Sequence, residues 1–165
     1  MSGLRVGVVT NTRVTHATPA SFISHCGDRN LEYNIANQEA RNVTYDLLFG
    51  GGKQYFDSRR PDGQDLIAHM QSKGFNFYQT NAEMQSARLP ALGLFADSHL
   101  DYEIDRKLNA SSTQPSHSAM VKKALELLSA TTENFVLIIE SGKIDLSSHN
   151  NDVRTLSLWI MPEIS

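Results

Sequence analysis

The hydrophobic positions of the chain fall into short apolar runs separated by longer stretches of mixed character. Five runs are predicted to form strands, at residues 6–10, 45–49, 75–78, 92–95 and 135–139. Short continuous apolar runs, rich in β-branched and aromatic residues, are typical of strands that are covered on both faces. Gly50, Gly51 and Gly52 follow the second run and predict a turn there.

Three segments carry helical spacing or helix-start signals. Residues 116–130 follow Pro115 and carry apolar residues three and four positions apart, at Val121, Ala124, Leu125 and Leu128. Residues 65–73 carry Leu66, Ile67 and Met70 on one side and stop before Gly74. Thr18 is predicted to cap a third helix, which runs to residues 24–26 with Pro19 at its first position.

The order of these elements predicts the fold class. Residues 53–63 and 106–114 are polar, contain turn formers and are predicted as surface loops. Strands alternate with helices along the rest of the chain, which is typical of right-handed βαβ units. The sequence therefore predicts an α/β fold with a mostly parallel sheet flanked by helices.

Composition excludes several classes of protein. The chain has 165 residues, 40% hydrophobic and 20% charged, which suits one globular domain. The net charge is -3 and no run of more than two lysine or arginine residues occurs, which argues against binding to nucleic acid. No apolar stretch reaches the roughly 18 residues that cross a bilayer. Cys26 is the single cysteine, so no internal disulfide is possible, and we expect a small buried side chain.

One candidate site follows the last predicted strand. Glu140 comes directly after five apolar residues, where a carboxylate requires a cation, a hydrogen-bond donor or solvent. Ligands of open α/β sheets bind at this end of the strands. Asp145 and His149 lie four residues apart, so they share one face of a helical turn and could provide half of a zinc ligand set. The same spacing is also typical of a solvated helix face.

A second candidate site follows the first predicted strand. His16 and Thr18 lie where the chain enters a helix, and Thr18 serves there either as a cap or as a metal ligand. Arg29 lies further along, and its planar guanidinium suits either a phosphate or a surface ion pair with Asp28.

An acidic stretch and a glycine-rich turn are weaker signals. The acidic stretch matches neither an EF-hand nor a closed zinc site, and we interpret it as a polar segment at the rim of the site; its polar residues are Asp97, His99, Asp101, Glu103 and Asp105. The GGGKQ turn lacks the residues and spacing of a phosphate-binding loop.

Five segments in this order resemble alkaline phosphatases. They read VGVVTNTRVTHATPASF, YDLLFGGG, LGLFADSHLDYEIDR, PSHSAMVKKALELL and NFVLIIESGKIDLSSHNND. The resemblance covers about residues 6–153 and is similar to the fungal vacuolar type. It implies an incomplete portion of the alkaline phosphatase fold, and a phosphomonoester hydrolase that works through a phosphoserine and a site of two zinc ions and one magnesium ion.

The resemblance also implies roles for particular residues. Thr18 and Glu140 resemble magnesium ligands, and His16 resembles a neighbour of that site. Asp145 and His149 resemble ligands of one zinc ion. Arg29 resembles the residue that binds the phosphate. The family further implies small phosphomonoester substrates, a homodimer, and a vacuolar lumen or membrane location.

Some family features are not in these 165 residues. Leu146 replaces a histidine that is frequent after the aspartate, and there is no Asp-Ser-Ala nucleophile block or further histidine ligand block. We interpret residues 1–153 as the central part of an alkaline phosphatase domain. Residues 154–165 do not match the family's sequence pattern, and we interpret them as the product of a truncated or misread gene end. The chain alone is therefore expected to be inactive, and the alternative function is that of a non-catalytic fragment or pseudoenzyme.

Overall fold

A parallel five-stranded sheet in the order β3-β4-β2-β1-β5 forms the frame of the protein. The computed structural model describes residues 3–130 and 134–152. Every neighbouring pair of strands is parallel, as the alternation of strands and helices predicted. The strands are β1 (Leu4–Arg13), β2 (Leu47–Gly51), β3 (Asn76–Tyr78), β4 (Ala91–Leu94) and β5 (Asn134–Glu140).

Helices connect the strands and cover both faces of the sheet. They are α1 (Ala17–Ile23), α2 (Glu32–Arg41), α3 (Leu66–Ser72), α4 (Asn81–Gln85), α5 (Glu103–Leu108), α6 (His117–Ser129) and α7 (Gly142–His149). Val8 belongs to one buried cluster and Val9 to another. Successive strand residues point to opposite faces, so the core consists of two layers with the sheet between them. This arrangement confirms the predicted α/β class.

The inner strand β1 extends well beyond its predicted end at residue 10. Thr10, Asn11 and Thr12 are buried, although Asn11 and Thr12 are polar and lie beyond the predicted end of the strand. β2 and β5 flank β1 on its two sides and cover its polar end. Tertiary pairing therefore overrode the local polarity.

The turn predicted at three glycines contains only the last of them. Gly50 and Gly51 belong to β2, and Gly52 alone has a left-handed backbone, with φ of 93°. A Cβ on Gly51 would lie 2.0 Å from the main-chain oxygen of Ser98. The glycine at this position therefore serves a close approach between two backbones rather than a turn.

Two of the predicted helix starts are confirmed and one is wrong. Asp65 accepts a hydrogen bond from Ala68 N over 2.8 Å, and Ser116 accepts one from Ala119 N over 3.1 Å. α1, in contrast, has His16 at its capping position, so Thr18 is inside the helix and not its cap. Pro19 is tolerated there because the first-turn N–H groups of a helix have no partner within the helix.

Three helices were missed. α2 is rich in polar residues, and α5 enters the segment 106–114 that was predicted as a loop. α4 carries a local signal that was overlooked, a capping box between Thr80 and Glu83. Residues 53–63 contain one turn of 3-10 helix, at Lys53–Tyr55. Cys26 is half-buried rather than fully buried.

The described helices give no sign of a membrane span. Within residues 3–130 and 134–152, none is long and apolar enough to cross a bilayer.

Candidate metal and phosphate site

Glu140 lies at the carboxyl end of β5, where it pairs in register with Thr10 of β1. Its Oε2 accepts a hydrogen bond from Thr10 Oγ1 over 2.6 Å and another from Thr12 Oγ1 over 3.0 Å. The two threonine oxygens are themselves 2.8 Å apart. These contacts fix the carboxylate at the sheet edge, as the sequence predicted for a polar residue after an apolar strand.

His16, in the loop after β1, contacts Arg29, in the loop between α1 and α2. Arg29 Nη2 lies 3.1 Å from His16 Nε2, whereas the other ring nitrogen, Nδ1, is buried without a hydrogen-bond partner among the described residues. Burial lowers the pKa of His16, and the positive charges of Arg29 and Arg13 lower it further. The structure therefore joins two residues that the sequence singled out separately, with His16 in its neutral form near pH 7.

A carboxylate on α2 supports this loop. Glu32 Oε2 lies 2.7 Å from Arg13 Nε and accepts a hydrogen bond from Thr15 Oγ1 over 2.6 Å. Tyr55 Oη donates to the other oxygen of Glu32 over 3.2 Å. Sequence reasoning missed Arg13 and Glu32, because their pairing joins segments that nothing local connects.

His99 completes the rim of the site. Its ring packs edge-on against His16, with 5.4 Å between the ring centroids, and its Nδ1 accepts a hydrogen bond from the main-chain N–H of Arg13 over 3.2 Å. Burial and then the Arg13 charge lower the pKa of His99 to about 3. Of the polar segment predicted at the rim, His99 therefore lies beside His16, whereas Asp97 pairs with Arg59.

Asp145 and His149 share one face of α7, as their spacing predicted. His149 Nε2 lies 3.5 Å from Asp145 Oδ1, with 77% and 73% of the respective side chains exposed. The first turn of α7 is held by Asn11, whose Oδ1 accepts the Lys143 N–H over 3.1 Å. The Asp145 and His149 side chains are therefore open to further ligands while their helix is anchored.

The same helix carries a buried lysine, Lys143, which was also missed from the sequence. The Lys143 ammonium lies 3.5 Å from the centre of the Tyr102 ring. Burial lowers the pKa of Lys143, against the negative charges of Asp101 and Asp105.

The candidate ligands suit the two ions chemically. Thr18 and Glu140 offer hydroxyl and carboxylate oxygens, which suit magnesium, and Asp145 with His149 offers the oxygen and nitrogen that suit zinc. Within residues 3–130 and 134–152, no group of three or more His, Cys, Asp or Glu side chains is arranged to hold a metal ion.

Comparison with known proteins decides the family. A family model described as alkaline phosphatase matches residues 1–158. The chain belongs to the alkaline phosphatase family. The resemblance to fungal members is borne out by a Schizosaccharomyces pombe alkaline phosphatase that is 41% identical over 92% of this chain and 31% of its own length. A repressible alkaline phosphatase of Saccharomyces cerevisiae is 35% identical over 92% of this chain and 32% of its own length.

Solved structures of alkaline phosphatases share the fold. The Thermus thermophilus enzyme superimposes with a TM-score of 0.87 at 42% identity, covering 93% of this chain and 33% of that one. A histidine-to-aspartate variant of the TAB5 alkaline phosphatase, described with magnesium bound in its M3 site, has a TM-score of 0.78 at 27% identity over 96% of this chain and 44% of that one. The chain spans about a third of the length of the curated relatives named above.

Proposed function

We propose that this chain forms the magnesium-binding and phosphate-binding part of a phosphomonoester hydrolase. The proposal rests on the side chains that lie together at the carboxyl edge of the sheet. There Glu140 is held by Thr10, while His16 from the loop before α1 meets Arg29 from the loop after it. A fixed carboxylate beside an available guanidinium suits a metal-assisted phosphate site.

Arg29 is the residue we assign to phosphate binding. Its guanidinium is exposed, and a planar guanidinium donates two parallel hydrogen bonds to phosphate oxygens. His16 contacts it as a neutral ring, so it orients Arg29 without bringing a second positive charge. Arg29, oriented by His16, can therefore bind two oxygens of a phosphate dianion and leave its other oxygens accessible.

We assign Glu140 and Thr18 to magnesium, and Asp145 and His149 to zinc. When bound, such ions supply positive charge and Lewis acidity to a phosphoryl group. Thr10 and Thr12 hold the Glu140 carboxylate in one orientation. The exposure of Asp145 and His149 leaves both side chains accessible to an ion and to ligands from outside this chain.

The reaction we propose proceeds through a phosphoserine. A serine oxygen forms a bond to phosphorus while the bond from phosphorus to the ester oxygen breaks, and the alcohol leaves with a proton. Water then displaces the serine oxygen, which releases inorganic phosphate. The family's Asp-Ser-Ala block is absent from residues 1–165, so we expect this chain alone to show no turnover.

A chimeric enzyme tests the proposal. Residues 6–153 of this chain replace the matching third of the S. pombe alkaline phosphatase, and hydrolysis of an aryl phosphate is measured with zinc and magnesium. We expect turnover, and we expect Arg29→Ala to lower kcat/KM about a hundredfold because a transition-state contact is lost. Arg88→Ala, at an exposed arginine that precedes the amino end of β4, is the matched control.

The alternative is a non-catalytic protein that keeps only part of each metal site. This alternative is supported by one observation: within residues 3–130 and 134–152, no three His, Cys, Asp or Glu side chains are arranged to hold a metal ion. A folded chimera that binds both metals but releases no phosphate would support this alternative and reject the assigned activity.

A further inference from the structure

His117, the first residue of α6, contacts the segment that joins β5 to α7. Its Nδ1 lies 3.2 Å from Ser141 Oγ. Ser141 directly follows Glu140, the last residue of β5, and directly precedes α7. The contact therefore joins the amino end of one helix to the amino end of the next, at the carboxyl edge of the sheet.

The Ser141 hydroxyl serves this contact rather than its own helix. Ser141 occupies the capping position of α7, but within the described part of the chain its side chain makes no capping hydrogen bond. Serine is favoured at such positions because its oxygen usually accepts a main-chain N–H of the first turn. α6 shows that arrangement, since Ser116 accepts the Ala119 N–H over 3.1 Å. At α7 the hydroxyl is turned to the His117 ring instead.

His117 also lies close to Glu140 itself. Burial lowers the pKa of His117, whereas a hydrogen bond with the Glu140 main chain and the negative charges of Glu140 and Glu103 raise it. The ring thus contacts both the last residue of the strand and the residue that follows it. Because the ring is half-buried, a lost contact here is not simply replaced by bulk water.

Gly142 connects the position of Ser141 to the Glu140 carboxylate. A Cβ on Gly142 would lie 2.5 Å from Thr12 Cγ2 and 3.1 Å from Glu140 Cδ. The first residue of α7 therefore packs directly against the Glu140 side chain and against one of the threonines that hold it. Since this packing leaves no room even for a methyl group, a shift of Ser141 displaces Gly142 relative to the carboxylate.

We propose that His117 is a positioning residue for the magnesium site: by holding Ser141 it fixes the start of α7 against the Glu140 carboxylate. This inference rests on the proposed function, since it takes the role of Glu140 as a magnesium ligand from it. It adds a residue that acts on the metal through the strand end rather than by direct contact. Removal of a group that orients a metal ligand typically lowers metal affinity about 10–100-fold.

Two variants of similar size separate the donor from the shape of the side chain. His117→Asn keeps an N–H near the position of Nδ1, whereas His117→Leu has no donor. Both are made in the chimeric enzyme, and aryl phosphate hydrolysis is measured against magnesium concentration at constant zinc. We expect His117→Leu to raise the magnesium concentration for half-maximal activity about tenfold and to leave kcat at saturating magnesium unchanged. His117→Asn should recover most of that shift.

Further variants control for general effects of the substitution. Ser141→Ala removes the same contact from its other end and should reproduce the effect of His117→Leu, so the test stands even where His117→Leu fails to fold. His69→Leu, on α3, is the matched control and should leave the magnesium dependence unchanged. Circular dichroism establishes that each variant is folded.

Hydrogen exchange on the 165-residue chain gives a second readout that requires no metal. The Thr12 N–H donates to Thr10 Oγ1 over 3.0 Å, and the Lys143 N–H donates to Asn11 Oδ1 over 3.1 Å. Both hydrogen bonds lie where the strand ends meet α7. Local opening of this junction should therefore speed exchange of the two amides in His117→Leu and not in His117→Asn.

The two proposals fail in different ways. If the chimera depends on magnesium but His117→Leu keeps the original dependence, or if His117→Asn loses as much as His117→Leu, the positioning role is rejected and the metal assignment stands. Unchanged exchange of the Thr12 and Lys143 amides in His117→Leu also overturns the positioning role, whether or not the chimera is active. If Glu140→Gln leaves the magnesium dependence unchanged, the assignment of Glu140 is rejected and the inference with it.

Discussion

Thr10 Oγ1 lies 2.6 Å from Glu140 Oε2, and this contact joins the carboxyl ends of β1 and β5. The two residues are 130 positions apart in the chain but directly opposite in the sheet. Thr10 is fully buried, so its hydroxyl has no water to replace this partner. The candidate magnesium ligand is therefore oriented by the core of the sheet rather than by a loop.

Thr10→Val tests this support. Valine keeps the shape of threonine but removes the hydroxyl, which leaves the Thr12 main-chain N–H without its acceptor. We expect the free energy of unfolding to fall by about 1–3 kcal/mol and magnesium affinity to fall about tenfold or more. Urea denaturation and calorimetry measure the two effects. Thr44→Val, at an exposed threonine, should change neither, and an unchanged magnesium affinity in Thr10→Val would contradict the assigned role of Thr10.

Because Glu39 is buried, we expect the free energy of unfolding to fall as the pH rises. Its side chain on α2 is fully buried, and neither carboxylate oxygen has a hydrogen-bond partner within residues 3–130 and 134–152. Burial raises the pKa of Glu39 well above its usual value. The folded state thus keeps a proton that the unfolded chain releases. The free energy of unfolding should fall by about 1.4 kcal/mol per pH unit between the unfolded-state and folded-state pKa values.

Two variants separate this effect from other titrations. Glu39→Gln should flatten the dependence of the urea midpoint on pH between 5 and 8, because the amide has no proton to release. Glu126→Gln, at an exposed glutamate, should leave the slope unchanged. An equal slope in the Glu39→Gln variant and the original chain would show that Glu39 is not the source.

His99 predicts a dependence of the opposite sign in acid. Its pKa in the folded state is about 3, mainly because of burial and the Arg13 charge, whereas an unfolded histidine titrates near about 6.5. The unfolded chain therefore binds the extra proton, and the free energy of unfolding should fall as the pH drops from 6.5 toward 3. His99→Gln should reduce this loss in urea titrations. A ring NMR signal of His99 that titrates near pH 6.5 would contradict the prediction.

Gly51 predicts a severe steric effect. A Cβ there would lie 2.0 Å from the main-chain oxygen of Ser98, whose segment leads directly to His99. We expect Gly51→Ala to lower the free energy of unfolding by at least about 3 kcal/mol, since one of two backbones must move. Gly27→Ala is the control, because nothing lies within 4 Å of a Cβ at that position. Equal thermal midpoints for the two variants would disprove the close approach.

The sequence by itself determined the alternation of strands and helices, and with it the α/β class. It also placed Glu140 at a strand end and Asp145 with His149 on one helix face. These features follow from apolar runs and residue spacing, which are local and can be read along the chain. The ordered sequence segments further indicated the family.

Only the tertiary structure decided how the candidate site is supported. The extension of β1 through Arg13, the pairing of Glu32 with Arg13, and the packing of His99 on His16 join segments far apart in sequence. No local sequence pattern predicts these contacts, because they depend on which strands become neighbours in the sheet. The burial of Thr10 beside Glu140 has the same origin: its hydroxyl is tolerated in the core because a distant strand supplies its acceptor.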